Sequence, residues 1–227
     1  MRWISCHTGA FPKRLYFENL SELDRECERL LADVYYRKFG KEFTPPLDDD
    51  SLQVLVEEYA DVDLYATLPR SVEGETEFRP GQRPLVKISE SLSSNEQRRN
   101  RMRTTIAHEW FHAVYHRYAW ELRWARARVR TGQEESGGSC HEDTIIGAPE
   151  DNWTEFQAGY ASCSILMPRS YVLIEAQRAS GDNVPEISSV IAHVAQFFNV
   201  STEAARWRLS HLGILGDLKA KRQLTLW

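Results

Sequence analysis

Long apolar runs, closely spaced cysteines and an excess of basic charge are all missing from this sequence. No stretch reaches the roughly 18 consecutive apolar residues of a membrane helix. The opening MRWISCHTGAFPKR lacks the apolar core of a secretory leader, so no export signal is expected there. Cys6, Cys27, Cys140 and Cys163 stand far apart, with no CxxC among them. That spacing fits neither a disulfide framework nor a cysteine-rich zinc site, and reduced thiols in a cytoplasmic protein are the expectation. The formal net charge of −5 gives no support to a protein that lives on phosphate contacts. Repeats and low-complexity tracts are absent as well. What remains is 227 residues, 42% hydrophobic and 27% charged, ordinary for a globular chain with one core or a core and a small appendage. Seven Trp, nine Tyr and nine Phe argue against disorder, because aromatic burial offsets much of the chain entropy lost on folding.

Periodicity divides the chain into elements. Leu20, Leu23, Cys27, Leu30, Leu31 and Val34 recur at three-and-four spacing, which predicts an amphipathic helix capped at Ser21 and ending before Gly40. After the Thr-Pro-Pro break at 44–46, a short helix carries Leu52, Leu55, Val56 and Tyr59. DVDLYATL and PLVKI read as strands, with a further short strand near 75–78 among turns. A central helix is expected to begin after Ser93, Ser94 or Asn95, to reach at least His116, and to continue toward Arg130. The Gly- and acid-rich stretch 131–150 reads as a long loop. A helix from Asp151 or Asn152 to about Met167, another begun by Pro168, and two short helices joined at Asn199–Val200–Ser201 complete the chain. The boundary between a domain over 1–180 and a helical subdomain over 181–227 is placed at Gly181–Pro185.

The chemistry concentrates at His108-Glu109-Trp110-Phe111-His112. Four residues advance a helix by roughly 400°, so two imidazoles lie one turn apart on one face and can share a metal. Glu109 sits about 100° around from His108, within reach of a water on that metal rather than of the metal itself. The metal lowers the water's pKa, and the carboxylate takes its proton. Composition alone would place His-Glu-x-x-His in a chain of this length in roughly two cases in a hundred. The apolar flanks Ile106, Ala107, Trp110, Phe111, Ala113 and Val114 mark a buried helix, in which unpaired imidazoles would be costly. His116 extends the series, but eight residues span about 12 Å of helix, so it is expected to act behind the ligands.

A third ligand must come from elsewhere. A metzincin pattern is disfavoured, because Tyr115 and Tyr118 stand where that class needs Gly and His. Glu155, early in a following helix, would complete a His₂Glu set, with Glu150, His141 and Glu142 as competitors. The set suits Zn²⁺, and Mn²⁺ and Fe²⁺ use similar ligands. Tyr160, Tyr118 and His116 are candidates for stabilising an oxyanion. Cys163 reads as packing, and Cys140-His141 is a weak metal signal. Two arginine clusters, 98–103 and 123–130, read as solvated helix faces or as a dock for an acidic or phosphate partner. The tail Ala195…Asn199-Val200-Ser201…Ala205 has the form of a helix-turn-helix, although the acidic balance of the chain disfavours DNA binding.

RMRTTIAHEWFHAVYH, followed by EFQAGYASCSILMP, resembles the paired motifs of the ImmA/IrrE metallopeptidases. Glu155, Gln157, Ala158, Ile165, Leu166, Met167 and Pro168 fall in register with the second motif, while Gly159 and Ala161 replace its usual Asn and Phe. The tail IAHVAQFFNVSTEAARWRLSHLGIL is similar to the family's closing helices, so the likeness covers most of residues 20–215. The resemblance implies an α+β, mainly helical, zincin-like protease domain with a small β-sheet and a helix-turn-helix-like end. It implies His108, His112 and Glu155 as metal ligands and Glu109 as the catalytic base. The activity it implies is a cytoplasmic endopeptidase that cuts a helix-turn-helix transcriptional repressor, in stress or mobile-element regulation. The acidic loop, the arginine clusters and the tail also motivate a second reading, a non-proteolytic regulatory or toxin-like binding module with a structural or vestigial metal site.

Overall fold

A computed structural model of the chain describes residues 1–6, 11–131, 137–140, 152–180 and 186–218. A two-stranded antiparallel ribbon, β1 (Arg2–Ser5) and β2 (Lys13–Tyr16), leads into helices α1 (Leu20–Phe39) and α2 (Asp49–Glu57). Strands β3 (Asp61–Ala66), β4 (Gly74–Phe78) and β5 (Leu85–Ser89) follow, then a short helix α3 (Glu90–Ser93). A 3-10 turn at Glu96–Arg98 opens one long helical run made of α4 (Arg99–Phe111), a π-helical turn (His112–His116) and α5 (Arg117–Thr131). Strand β6 (Gly138–Cys140) and helices α6 (Trp153–Leu166), α7 (Arg169–Ser180), α8 (Ile187–Phe198) and α9 (Thr202–His211) complete the described elements. The fold is α+β, mainly helical and zincin-like, and its described strands form two small sheets.

Local chemistry sets the element ends. Helix α1 is capped by Asn19 rather than by Ser21, because the Asn19 carboxamide accepts the Glu22 N–H at 3.1 Å. It stops at Gly40, whose φ of 65° a side chain would strain. Asp48 caps α2 by accepting the Ser51 N–H at 2.7 Å. Pro168 stands just before α7 instead of opening it, and its carbonyl accepts the Val172 N–H at 2.9 Å. Between α8 and α9 the chain turns through Asn199 at φ 53°, and Ser201 caps α9. The expected boundary at Gly181–Pro185 lies outside the described residues, as do His141, Glu142 and Glu150.

The larger sheet has the order β3-β5-β4-β6, with β3 and β5 parallel and the other pairs antiparallel. Along β4, Gly74, Thr76 and Phe78 are buried, while Glu75 and Glu77 alternate to the other face, where both meet Lys87. Strand β6 falls inside the stretch read from sequence as loop. Gly-Ser-Cys carries no β-branched or aromatic residue to announce a strand. Its place depends on a close approach, since a Cβ on Gly138 would lie 2.0 Å from the Trp120 ring.

One apolar cluster runs through the molecule. Leu23, Cys27 and Val34 of α1 join Trp110 and Phe111 of α4, Ile165 of α6, and Val190, Phe198 and Leu209 of the last two helices. A buried ion pair ties that tail to the front of the chain. Arg208 Nη1 lies 2.6 Å from Asp24, with both side chains at most 2% exposed. Tyr160 O–H donates to Asp24 at 3.0 Å, and Arg208 Nε–H donates to the Met167 carbonyl at 3.1 Å. Arg208→Leu would strand the Asp24 carboxylate in the core. It is expected to cost about 3–5 kcal/mol in urea unfolding, and an added Asp24→Asn should recover part of the loss.

The first arginine cluster is paired within the chain, with Arg103 buried and Arg99 still exposed. Arg98 and Arg101 both pair with Glu73, and Arg99 and Arg103 with Asp49. These pairs fasten the start of α4 to the segment before β4 and to α2. In the second cluster the Arg123 guanidinium lies 5.0 Å from the Trp120 ring centroid, while Arg126 and Arg130 are exposed on α5. No described helix is long and apolar enough to cross a membrane.

Candidate metal centre

Every residue of α4 from Arg103 to Phe111 is buried. The helix is sandwiched between β4 and β5 on one side and α6 on the other. Its end and the π-helical turn step three imidazoles along one face. Ring centroids are 4.7 Å apart for His108 and His112 and 4.8 Å for His112 and His116. Helix widening of this kind recurs at functional sites.

Glu155, in the first turn of α6, meets this face from the opposite wall. His108 Nε2 and His112 Nε2 are 2.9 Å apart, and Glu155 Oε2 lies 3.0 Å from the first and 3.2 Å from the second. A tetrahedral cation with bonds of about 2.0–2.1 Å would hold its ligand atoms roughly 3.3 Å apart, so the triangle needs to open by only tenths of an ångström. A carboxylate oxygen and two imidazole nitrogens turned toward one point can all serve a single cation as lone-pair donors. The donors present therefore fit a divalent ion. Among the described residues this is the group of His, Cys, Asp or Glu that could hold one.

Electrostatics agree with that use. Burial pushes His108 down to about 4 and His116 down to about 3, so both stay neutral near pH 7, the state that offers a lone pair. Burial alone would raise the Glu155 carboxyl. The neighbouring histidines, His112 foremost, outweigh it and hold the group well below the usual carboxylate range.

Glu109 turns to the sheet. Its Oε2 accepts the Thr76 hydroxyl at 2.6 Å, and burial pushes its carboxyl up to about 8. A cation in the adjoining cluster would favour the ionised form. Gly74, two residues before Thr76 on the same face of β4, makes room for the glutamate. A Cβ there would lie 2.8 Å from Glu109 Oε1 and 2.5 Å from Thr105 Cγ2. Gly74→Ala is therefore expected to displace Glu109 and to lower turnover by about 10²-fold with metal content unchanged, read as kcat against bound metal. Thr76 and Gly74 escaped the sequence reading, since strand alternation alone does not show which helix a strand will cover.

The other expectations separate cleanly. His116 stands behind His112, with Nδ1 2.7 Å from His112 Nδ1. The Tyr160 hydroxyl is engaged by Asp24 and Arg208 in the core, and Tyr118, 41% exposed, packs edge-on against Trp3. Neither tyrosine is in the cluster. Cys163 is a core residue whose thiol burial pushes up to about 11. Arg208, on the second helix of the helix-turn-helix-like tail, is fully buried, which removes it from any DNA-facing surface.

A buried pair of histidines and a carboxylate, set between a small sheet and a following helix, form a candidate metal site with the donor set that metallopeptidases use. Residues 73–210 match the model of the IrrE N-terminal-like domain, the peptidase M78 family. The match spans more than half of the chain, and the protein belongs to that family. A solved structure described as a Mycobacterium tuberculosis transcriptional regulator aligns at 16% identity with a TM-score of 0.49, over 86% of this chain and 56% of the other. The chain thus spans little more than half the length of that relative. No curated protein matches it significantly.

Proposed function

We propose that the protein is a metal-dependent endopeptidase whose ion is held by His108, His112 and Glu155. The supporting observation is the convergence of the three ligand atoms within 3.2 Å of one another from two separate helices. Zn²⁺ suits the donor set best, with Mn²⁺ and Fe²⁺ as the other ions that use it. A divalent cation in that position supplies Lewis acidity toward a water and a peptide carbonyl. Glu109 is the proton carrier, taking a proton from the attacking water and delivering it to the leaving amine. Thr76 holds one carboxylate oxygen of Glu109, and Gly74 leaves room beside the other.

All four residues are buried, with Glu155 the most exposed at 4%. A peptide reaches them when structure around the cluster opens, so basal turnover is expected to be low. The substrate we assign is a protein, and the resemblance to repressor-cleaving enzymes makes a helix-turn-helix transcriptional repressor of the cytoplasm the first to test. The non-proteolytic reading draws less support from the first arginine cluster, because Arg98, Arg99, Arg101 and Arg103 are each paired with Glu73 or Asp49. The test is incubation of zinc-loaded protein with repressors encoded beside it, followed by mass spectrometry of the fragments. Cleavage that is lost on chelation and restored by zinc supports the assignment. Cleavage indifferent to chelation would overturn it.

A further inference from the structure

The histidine behind the ligand pair sets which nitrogen His112 presents. The Leu15 carbonyl on β2 can only accept. The Gln157 side chain meets it at 2.8 Å, so the amide nitrogen of Gln157 faces Leu15 and its oxygen faces inward. That oxygen lies 3.2 Å from His116 Nε2 and can only accept, so His116 carries its proton on Nε2. A neutral imidazole has one N–H, so His116 Nδ1 is a lone pair. His112 Nδ1, 2.7 Å away, must then be the donor. The remaining nitrogen of His112, Nε2, is left as a lone pair aimed at His108 Nε2 and Glu155 Oε2.

The geometry points to Gln157 and His116 as positioning residues that hold His112 in its Nδ1–H tautomer, ready to ligate through Nε2. This rests on the metal-centre reading above. His108 has no such arrangement, because its Nδ1 finds no hydrogen-bond partner among the described residues. The two ligand histidines are therefore unequal, His112 preset by the fold and His108 set by what it binds. The relay crosses three elements. It begins on β2, passes through Gln157 on the same helix that supplies Glu155, and ends in the π-helical turn. An outer partner that fixes a ligand's tautomer and ring orientation also raises its basicity.

Long-range proton–nitrogen correlation spectra of the metal-free, ¹⁵N-histidine-labelled protein read the tautomers directly. His116 is expected as the Nε2–H form and His112 as the Nδ1–H form, while His108, whose Nε2 faces the Glu155 carboxylate and the His112 lone pair, is expected as the Nε2–H form until an ion displaces that proton. Finding His112 as Nε2–H would overturn the inference without reference to any variant. Zinc affinity by chelator competition is the second readout. Gln157→Met removes the acceptor at similar size and is expected to weaken zinc binding by about 10–100-fold. Undiminished affinity in Gln157→Met, with the parent binding zinc, would sink the relay and leave the metal centre standing. A parent protein that binds no zinc would sink the centre and the relay with it.

Discussion

Glu109→Gln is expected to lower kcat by about 10²–10⁴-fold with bound metal unchanged, the range by which a positioned general base contributes. The reason lies in where the carboxylate sits. The amide has the same shape, fits beside Gly74 and can still take the Thr76 hydrogen bond at Oε1, so the fold and the ligand triangle keep their geometry. What disappears is a group able to accept a proton. Because the carboxyl is pushed up by burial, its loss should not destabilise the protein, and melting temperature provides the control. Full cleavage by Glu109→Gln would remove this residue from the mechanism.

Glu155→Ala is expected to weaken zinc binding by more than about 100-fold. Losing an outer partner of a ligand already costs about 10–100-fold, and here a ligand and its charge both go. Elemental analysis of parent and variant purified side by side measures it. A second measurement needs no substrate. A ligand that binds only the folded state stabilises it by about 2.7 kcal/mol at a hundred times its dissociation constant, so zinc should raise the melting temperature of the parent and not of Glu155→Ala. The variant leaves His108 and His112 facing a void, so a lowered melting temperature without zinc is expected as well. A variant that retains stoichiometric metal would place the third ligand elsewhere.

The parts of this molecule that could be read in advance are those whose signal lies within a few residues. The helical spacing of Leu23, Cys27 and Val34 marked α1, and its true cap, Asn19, lay two residues from the expected Ser21 because both types bond a free N–H equally well. The π-helical turn left no such trace, since nothing in His-Ala-Val-Tyr-His distinguishes a widened turn from an ordinary one. The arginines at 98–103 carried the opposite lesson. A run of like charge resembles a solvated face until Glu73 and Asp49, distant in sequence, are folded against it.

His108 and His112 share a helix face by the arithmetic of 3.6 residues per turn, and Glu109 follows from the same arithmetic, so the chain alone dictated that trio's relative placement. Glu155 came from a motif, and its contact with the histidines depends on how α6 docks on α4. The Thr76 hydroxyl on Glu109, the space left by Gly74, and the line from Leu15 through Gln157 and His116 to His112 are decided by packing between segments far apart in the chain. A local window holds rise and rotation; which strand covers a helix, and which carbonyl faces an amide, depends on the burial of the whole core.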